Sequence, residues 1–305
     1  MEPFRIHILG CGSATPTLKH YCSSHVVEIR GKCFMVDCGE GTQRQLRLSH
    51  IKFTRINAVF ISHLHGDHCF GLIGMISTFG MLGRVAPLHV YAPSDFGTML
   101  QAMLDMFCTG LEYEVVFHPV DCRENRIIYD DRSLTIETIP LSHRVPCCGF
   151  LFREKAGNRH INREMTDFYG VPFSQLGNIR AGADWMTADG NVIPNERLTR
   201  PADPARSYAY CSDTRYMPKL HEMVNGVDLL YHEATYGNDA EDRARLYHHS
   251  TAQQAARVAL DAGARKLMLG HFSSRYEDES CLLNEAKTLF ENTVLADEGM
   301  VVEVK

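Results

Sequence analysis

The 305-residue sequence has a single Trp, no pair of cysteines spaced CxxC, no excess of positive charge and no apolar run of membrane-spanning length. Each absence removes a class of protein. Thirty-one Lys and Arg against 37 Asp and Glu leave a formal net charge of −6, which excludes a basic protein that coats nucleic acid. The most apolar segment, Phe70–Gly83, is broken by Ser77 and Thr78 and falls short of the roughly 18 residues that crossing a bilayer requires. The first residues carry no basic stretch followed by an apolar one, so no secretory signal is expected. A soluble, cytoplasmic protein with no membrane partner is the expectation. The 11 cysteines are odd in number and scattered from Cys11 to Cys281, which argues for small buried residues in a reducing compartment rather than a disulfide framework.

What is present is ordinary globular composition, 45% hydrophobic and 22% charged, with a length that allows one large domain or two at roughly 150 residues each. The departure is histidine. There are 16, and histidine is the commonest metal ligand.

Short β-branched or aromatic runs at Phe4–Leu9, Val26–Ile29, Cys33–Val36 and Ala58–Ile61 predict strands of a buried mixed sheet. Helical spacing over Glu40–Leu48, Gly71–Leu82 and Ser94–Phe107 alternates with strand-like runs at Leu88–Tyr91, Val115–Phe117 and Leu134–Thr138. The alternation returns later, with strands at Tyr208–Cys211, Leu229–His232 and Lys266–Leu269 and helices at Tyr216–Val224, Thr251–Ala262 and Cys281–Glu291. Two similar α/β halves are therefore expected. Between them, from about Arg153 to Arg206, Gly and Pro interrupt every few residues and periodicity fades. A connection that long is either an element with its own task or a disordered insert. Its eight Arg or Lys against seven Asp or Glu make it only mildly basic.

The most specific feature is Ser62-His63-Leu64-His65-Gly66-Asp67-His68, between the predicted strand ending at Ile61 and the predicted helix from Gly71. In extended backbone His63 and His65 project to one side, and a tight turn at Gly66 brings Asp67 and His68 round from another. Such a layout suits two metals. Imidazole and carboxylate without thiolate is a ligand set that zinc accepts in hydrolytic sites. Two ions need more donors, and His143, Asp213 and His271 each stand where a predicted strand meets a loop, the edge at which α/β folds gather their chemistry.

At these residues the chain resembles the metallo-β-lactamase superfamily, whose HxHxDH motif is matched by His63, His65, Asp67 and His68. Within it the chain resembles the ribonuclease Z family of tRNA 3′-processing endonucleases along nearly its whole length. The supporting matches are Leu-Gly-Cys-Gly-Ser from Leu9, Val-Asp-Cys-Gly-Glu-Gly-Thr-Gln from Val36, Tyr-His-Glu-Ala-Thr from Tyr231, His-Ser-Thr-Ala from His249 and His-Phe-Ser-Ser-Arg-Tyr from His271. The resemblance implies an α/β fold, a four-layer αββα sandwich over residues 1–305 as a single domain, with an inserted protruding arm within about 153–206. It implies two zinc ions per chain, with manganese or another divalent metal as a substitute: His63, His65 and His143 on one, Asp67, His68 and His271 on the other, Asp213 bridging. It also implies a homodimer in which the arm of one subunit serves the active site of the other.

Two metals roughly 3.5–4 Å apart suit in-line attack on a phosphodiester, which agrees with that assignment. Asp67 is then both ligand and proton acceptor, His249 oriented by Glu233 is the acid for the leaving oxygen, Arg275 is a phosphate holder, and Asp37 orients a ligand histidine. The family's arm carries a Gly-Pro pair and a lysine-rich Leu-Lys-x-Gly; the stretch Gly170–Gly182 lacks the pair and keeps one basic residue, Arg180, as its contact to substrate. A weaker electrostatic grip follows. The expected activity is zinc-dependent removal of the 3′ trailer from precursor tRNA, leaving a 3′-hydroxyl. The alternative is a small-substrate phosphodiesterase on the same centre, suggested by the acidic balance and the depleted arm.

Overall fold

In the computed structural model, which describes residues Glu2–Lys305, two seven-stranded sheets make up most of the chain. The first sheet is built from β1 (Phe4–Gly10), β2 (Ser24–Ile29), β3 (Lys32–Val36), β4 (Ile56–Phe60), β5 (Leu88–Pro93) and β6 (Val115–Val120), with the C-terminal strand Val301–Glu303 added beside β1. Apart from Lys32 and Asn57 its inner strands β3 and β4 are buried, as strands covered on both faces are. Helices α1 (Thr42–Leu48), α2 (Gly66–Cys69), α3 (Leu72–Met81) and α4 (Phe96–Phe107) connect them. Leu72, Met75, Ile76 and Phe79 of α3 and Phe96 and Leu100 of α4 close one core with Val59 and Val90 of the sheet.

The second sheet contains β7 (Ile127–Asp130), β8 (Leu134–Leu141) and β9 (Cys147–Glu154), and later β14 (Ser207–Cys211), β15 (Leu229–Glu233), β16 (Leu267–Gly270) and β17 (Thr293–Leu295), in the order 17-16-15-14-9-8-7. The sheets meet face to face through aromatic rings: Phe60 is 5.4 Å from Phe150, and Phe34 6.1 Å from Phe152. Helices α10 (Ala252–Asp261) and α11 (Ser280–Lys287) supply buried Ala255, Ala256, Ala259, Leu282 and Ala286 on this half. Two sheets with helices on their outer sides form the αββα sandwich.

Residues 131–134 and 154–205 form a separate compact unit. Far from being a bare loop, it has α5 (Arg163–Phe168), α6 (Leu176–Arg180), α7 (Asn195–Leu198) and the two-residue strands β10 to β13 at 160–161, 185–186, 192–193 and 199–200. Asn162 caps α5 by accepting from the Met165 amide, and Ile179, Ile193 and Leu198 form a small core with Trp185 and Tyr169 against it. Helical turns of four to six residues are too short to leave a periodic trace, which is why the sequence reads as irregular there.

Other boundaries differ for local reasons. Gly41 sits at φ 88°, so α1 starts at Thr42 and not at Glu40. The helix expected over Tyr216–Val224 shrinks to α8 (Leu220–Met223), because Pro218 interrupts the run. Strands β7, β9 and β17 and the helix α9 (Glu241–Tyr247) were not expected from the sequence pattern. Among the described residues no helix is long and apolar enough to cross a membrane.

Candidate metal centre

Four connections bring their side chains to one pole of the sandwich. His63 and His65 leave β4, Asp67 and His68 occupy the first turn of α2, His143 follows β8, Asp213 follows β14, and His271 directly follows β16. The structure gathers these seven residues into two groups. In one, His65 Nδ1 lies 3.1 Å from His63 Nε2 and 3.3 Å from His143 Nε2. In the other, His68 Nε2 lies 3.3 Å from His271 Nε2, and each is 3.5 Å from Asp67 Oδ2. Asp213 stands between them: Oδ2 faces His63 at 3.6 Å and His143 at 3.8 Å, while Oδ1 faces His271 at 3.1 Å and His68 at 3.4 Å.

The outward nitrogens show why the inward ones are free to ligate. His68 Nδ1 donates to Asp37 Oδ2 (2.7 Å) and His143 Nδ1 to the His248 carbonyl (2.9 Å). Ser62 Oγ donates to Asp37 Oδ2 (2.9 Å), so it accepts from His63 Nδ1 (3.0 Å). Thr235 Oγ1 donates to Glu233 Oε2 (2.7 Å) and accepts from His271 Nδ1 (2.9 Å). When these rings are neutral the proton is thereby held on Nδ1, and Nε2 can present its lone pair to the centre, as metal-ligating histidines do. Asp213 Oδ1 is buried without a hydrogen-bond partner. Converging lone pairs around an uncompensated carboxylate oxygen fit a divalent cation.

Electrostatics divide the rings. Burial, helped by neighbouring His68, pushes His63 well below its usual value, and burial lowers His143 to about 4. Burial also opposes a charge on His68, but Asp213, Asp37 and Asp67 prevail and raise it well above the ordinary range. Asp67 and Asp213 stay ionised against burial because His68 and His271 face both. Asp37 and His271 hold φ of 56° and 59°, a left-handed backbone region that residues with a Cβ occupy uncommonly.

His249 adjoins the centre, its ring 5.0 Å from His143 and 5.5 Å from His271. Its Nδ1 bonds Glu233 Oε1 at 2.9 Å, and the buried Glu233 also accepts from the Thr214, Ser250 and Thr235 amides. Burial works against the charged ring, yet the Glu233 carboxylate outweighs it and raises His249 to about 9. Helix α10 is capped by Thr251 with Gln254, so His249 is not its cap. Arg275 lies over the rings of Tyr236 (5.7 Å) and Tyr276 (6.0 Å), outside both donor groups, with Tyr236 between it and His249. Arg180 ends α6 in the separate unit.

Four residues beside the donor groups escape a reading of the sequence. Ser62 and Thr235 set tautomers through hydroxyl contacts, and Ala14 donates its amide to Asp67 Oδ2 at 2.7 Å. Arg144 lies over Tyr247 (5.8 Å) and lines a cleft of about 440 Å³ with His65, Asp67, Phe70 and Glu40. Its only signal was adjacency to His143.

Residues 4–161 match the family model described as Anti-Pycsar protein Apyc1. Over the full length of both chains the sequence is 57% identical to a ribonuclease Z from Bacteroides fragilis and 47% identical to one from Porphyromonas gingivalis, in each case over 304 residues. Among solved structures, the short form of human tRNase Z superposes with a TM-score of 0.71 at 25% identity, covering 99% of each chain. The metallo-β-lactamase fold protein YhfI from Bacillus subtilis gives 0.69 at 20% identity over 99% of this chain and 100% of that one, a likeness of fold.

Asp37→Asn leaves Ser62 and His68 without a full negative charge behind them. Divalent-metal affinity is expected to fall about 10- to 100-fold, measured by chelator competition, with the circular dichroism spectrum unchanged; an undiminished affinity would remove Asp37 from the centre.

Proposed function

Because this chain belongs to the ribonuclease Z family, its residues 4–161 being shared with the Apyc1 family, we propose that it is the hydrolase that removes the 3′ trailer from precursor tRNA. The observation that carries the reading is the Glu233–His249 pair set beside two donor groups that share Asp213. His63, His65 and His143 would hold one zinc ion, Asp67, His68 and His271 the other, and Asp213 would serve both; manganese fits the same donors. Bound there, the ions supply Lewis acidity and positive charge toward a phosphate at neutral pH.

The chain's own groups do the rest. Asp67, ionised and steadied by the Ala14 amide, accepts the proton of the attacking water. That water's oxygen forms the new bond to phosphorus as the bond from phosphorus to the tRNA 3′-oxygen breaks. His249, whose Nδ1 is fixed on Glu233, donates from Nε2 to that 3′-oxygen, so the tRNA leaves with a 3′-hydroxyl and the trailer keeps the phosphate. Arg144 and Arg275 hold flanking phosphates. Residues 153–206 serve as the substrate-binding arm, with Arg180 as a phosphate contact. The active form is a cytoplasmic homodimer: α4 exposes Met99, Met106 and Phe107, and α3 ends in exposed Met81, an apolar face that a second copy covers. Sedimentation at twice 34.4 kDa checks this, and a monomer would overturn it.

Incubation with trailer-bearing precursor tRNA and zinc or manganese is expected to yield one cut at the trailer junction. Deleting residues 157–192 is expected to abolish that cut while sparing a chromogenic phosphodiester. Cleavage of the diester alone by the intact chain would favour a small-substrate phosphodiesterase.

His249→Ala is expected to lower tRNA cleavage about 100- to 10,000-fold. A general acid works only when protonated, so intact enzyme loses activity as pH rises through the His249 value. In the variant that basic limb should vanish from the rate profile; its survival would assign the acid elsewhere.

A further inference from the structure

A second set of ligand-type side chains lies where the loop after β1 meets the segment between β17 and the C-terminal strand. Cys11 is fully buried, His20 is 6% exposed, and Glu298 is largely covered. Cys11 Sγ lies 3.4 Å from His20 Nδ1, and the same nitrogen lies 2.7 Å from Glu298 Oε2. These three donor atoms all fall within 4.8 Å of one another. The Ala296 carbonyl oxygen stands 3.5 Å from the sulfur as a fourth donor. The far nitrogen of His20, Nε2, meets Glu279 Oε1 at 3.2 Å. A ligating histidine is ordinarily backed by just such a carboxylate on its other nitrogen.

We propose that Cys11, His20 and Glu298 form a divalent-cation site of the zinc class, separate from the catalytic centre, with Glu279 orienting His20. Thiolate, imidazole and carboxylate with a carbonyl or water in the fourth place is a ligand set that zinc accepts. Charge supports it. Two buried carboxylates, Glu279 and Glu298, converge here, and the side chains that offset them are Lys19, half exposed, and His20. Without a cation His20 carries a proton on each nitrogen, Nδ1 toward Glu298 and Nε2 toward Glu279, and Cys11 is a neutral thiol; an ion displaces the Nδ1 and thiol protons, so binding strengthens as pH rises. A cavity of about 360 Å³, lined by Thr17, Lys19, His20, Phe272 and Glu279, opens on the His20 side as an entry path.

The ion would act as a strut. Glu298 Oε1 already accepts from the Cys11 and Tyr21 amides, so a metal on Oε2 would cross-link the whole loop to the C-terminal segment. Ala14, whose amide holds Asp67, sits on that loop. The site stands whether or not the chain cuts tRNA.

Cobalt(II) distinguishes this site from the catalytic centre, whose donors are all nitrogen and oxygen. Full-length protein loaded with cobalt is expected to show a near-ultraviolet thiolate-to-cobalt charge-transfer band and to bind one more ion per chain than Cys11→Ser. The band should be lost in Cys11→Ser and weakened in Glu298→Gln, which keeps the size and the oxygen that accepts from the Cys11 and Tyr21 amides and so guards against misfolding as the cause. Absence of the band in the wild-type protein overturns the proposal. So does a band that survives Cys11→Ser, since it would report another thiol such as Cys22 or Cys69.

Discussion

The pole of this sandwich is organised around one buried carboxylate. Asp213 is 2% exposed, and one of its oxygens has no hydrogen-bond donor. An ionised carboxylate so placed costs several kcal/mol unless charge of opposite sign surrounds it. Four imidazoles face its two oxygens, with His68 carrying the positive charge, and no single strand can deliver four of them to one point. Two facing sheets can, because the ends of β4, β8, β14 and β16 arrive at the same pole from different directions. The double sheet and the doubled donor set are thus one solution to one electrostatic problem.

Orientation is solved twice by the same device. Asp37 reaches His68 directly and His63 through the Ser62 hydroxyl. Glu233 reaches His249 directly and His271 through the Thr235 hydroxyl. A hydroxyl has a single proton, so once it donates to the carboxylate it can only accept from the histidine. That fixes the tautomer without placing a second charge against the ring. Tyr210 adds a further donor to Asp37 at 2.7 Å, which links the second sheet to an acid carried by the first. Rigidity of the centre therefore depends on the packing between sheets as much as on the ligands.

The division between what was legible in the sequence and what was not follows the same lines. Ligand-type residues at strand ends are visible because hydrophobic periodicity marks the strand and a polar residue breaks it; His63, His65, Asp67 and His68 also sit close enough to form a local signature. Ser62, Thr235, Ala14 and Arg144 are not visible, since each acquires its role from a partner brought near by folding: Thr235 is 36 positions from His271, and Ala14 is 53 from Asp67. The unit of residues 154–205 stayed illegible for a different reason. Its core is small and its helices make one or two turns, so tertiary contacts and not periodicity hold it.

Net charge was a poor guide to partners for a reason that the geometry supplies. The pole gathers Asp37, Asp67, Asp213 and Glu233, all buried or nearly so, against the two exposed guanidiniums of Arg144 and Arg275. As a bare protein surface it would repel a phosphodiester. The acids are nevertheless held ionised by the histidines around them, and a cation that displaces the inward protons meets lone pairs already aimed at it, an arrangement that attracts cations before it can attract an anion. Affinity for phosphate at this pole is therefore conditional on the cations it collects, and the formal −6 of the chain describes the collector rather than the loaded site. The unit of residues 154–205, with six Arg or Lys against seven Asp or Glu, adds no net positive charge of its own, so attraction of a polyanion to this chain rests on the cations gathered at the pole.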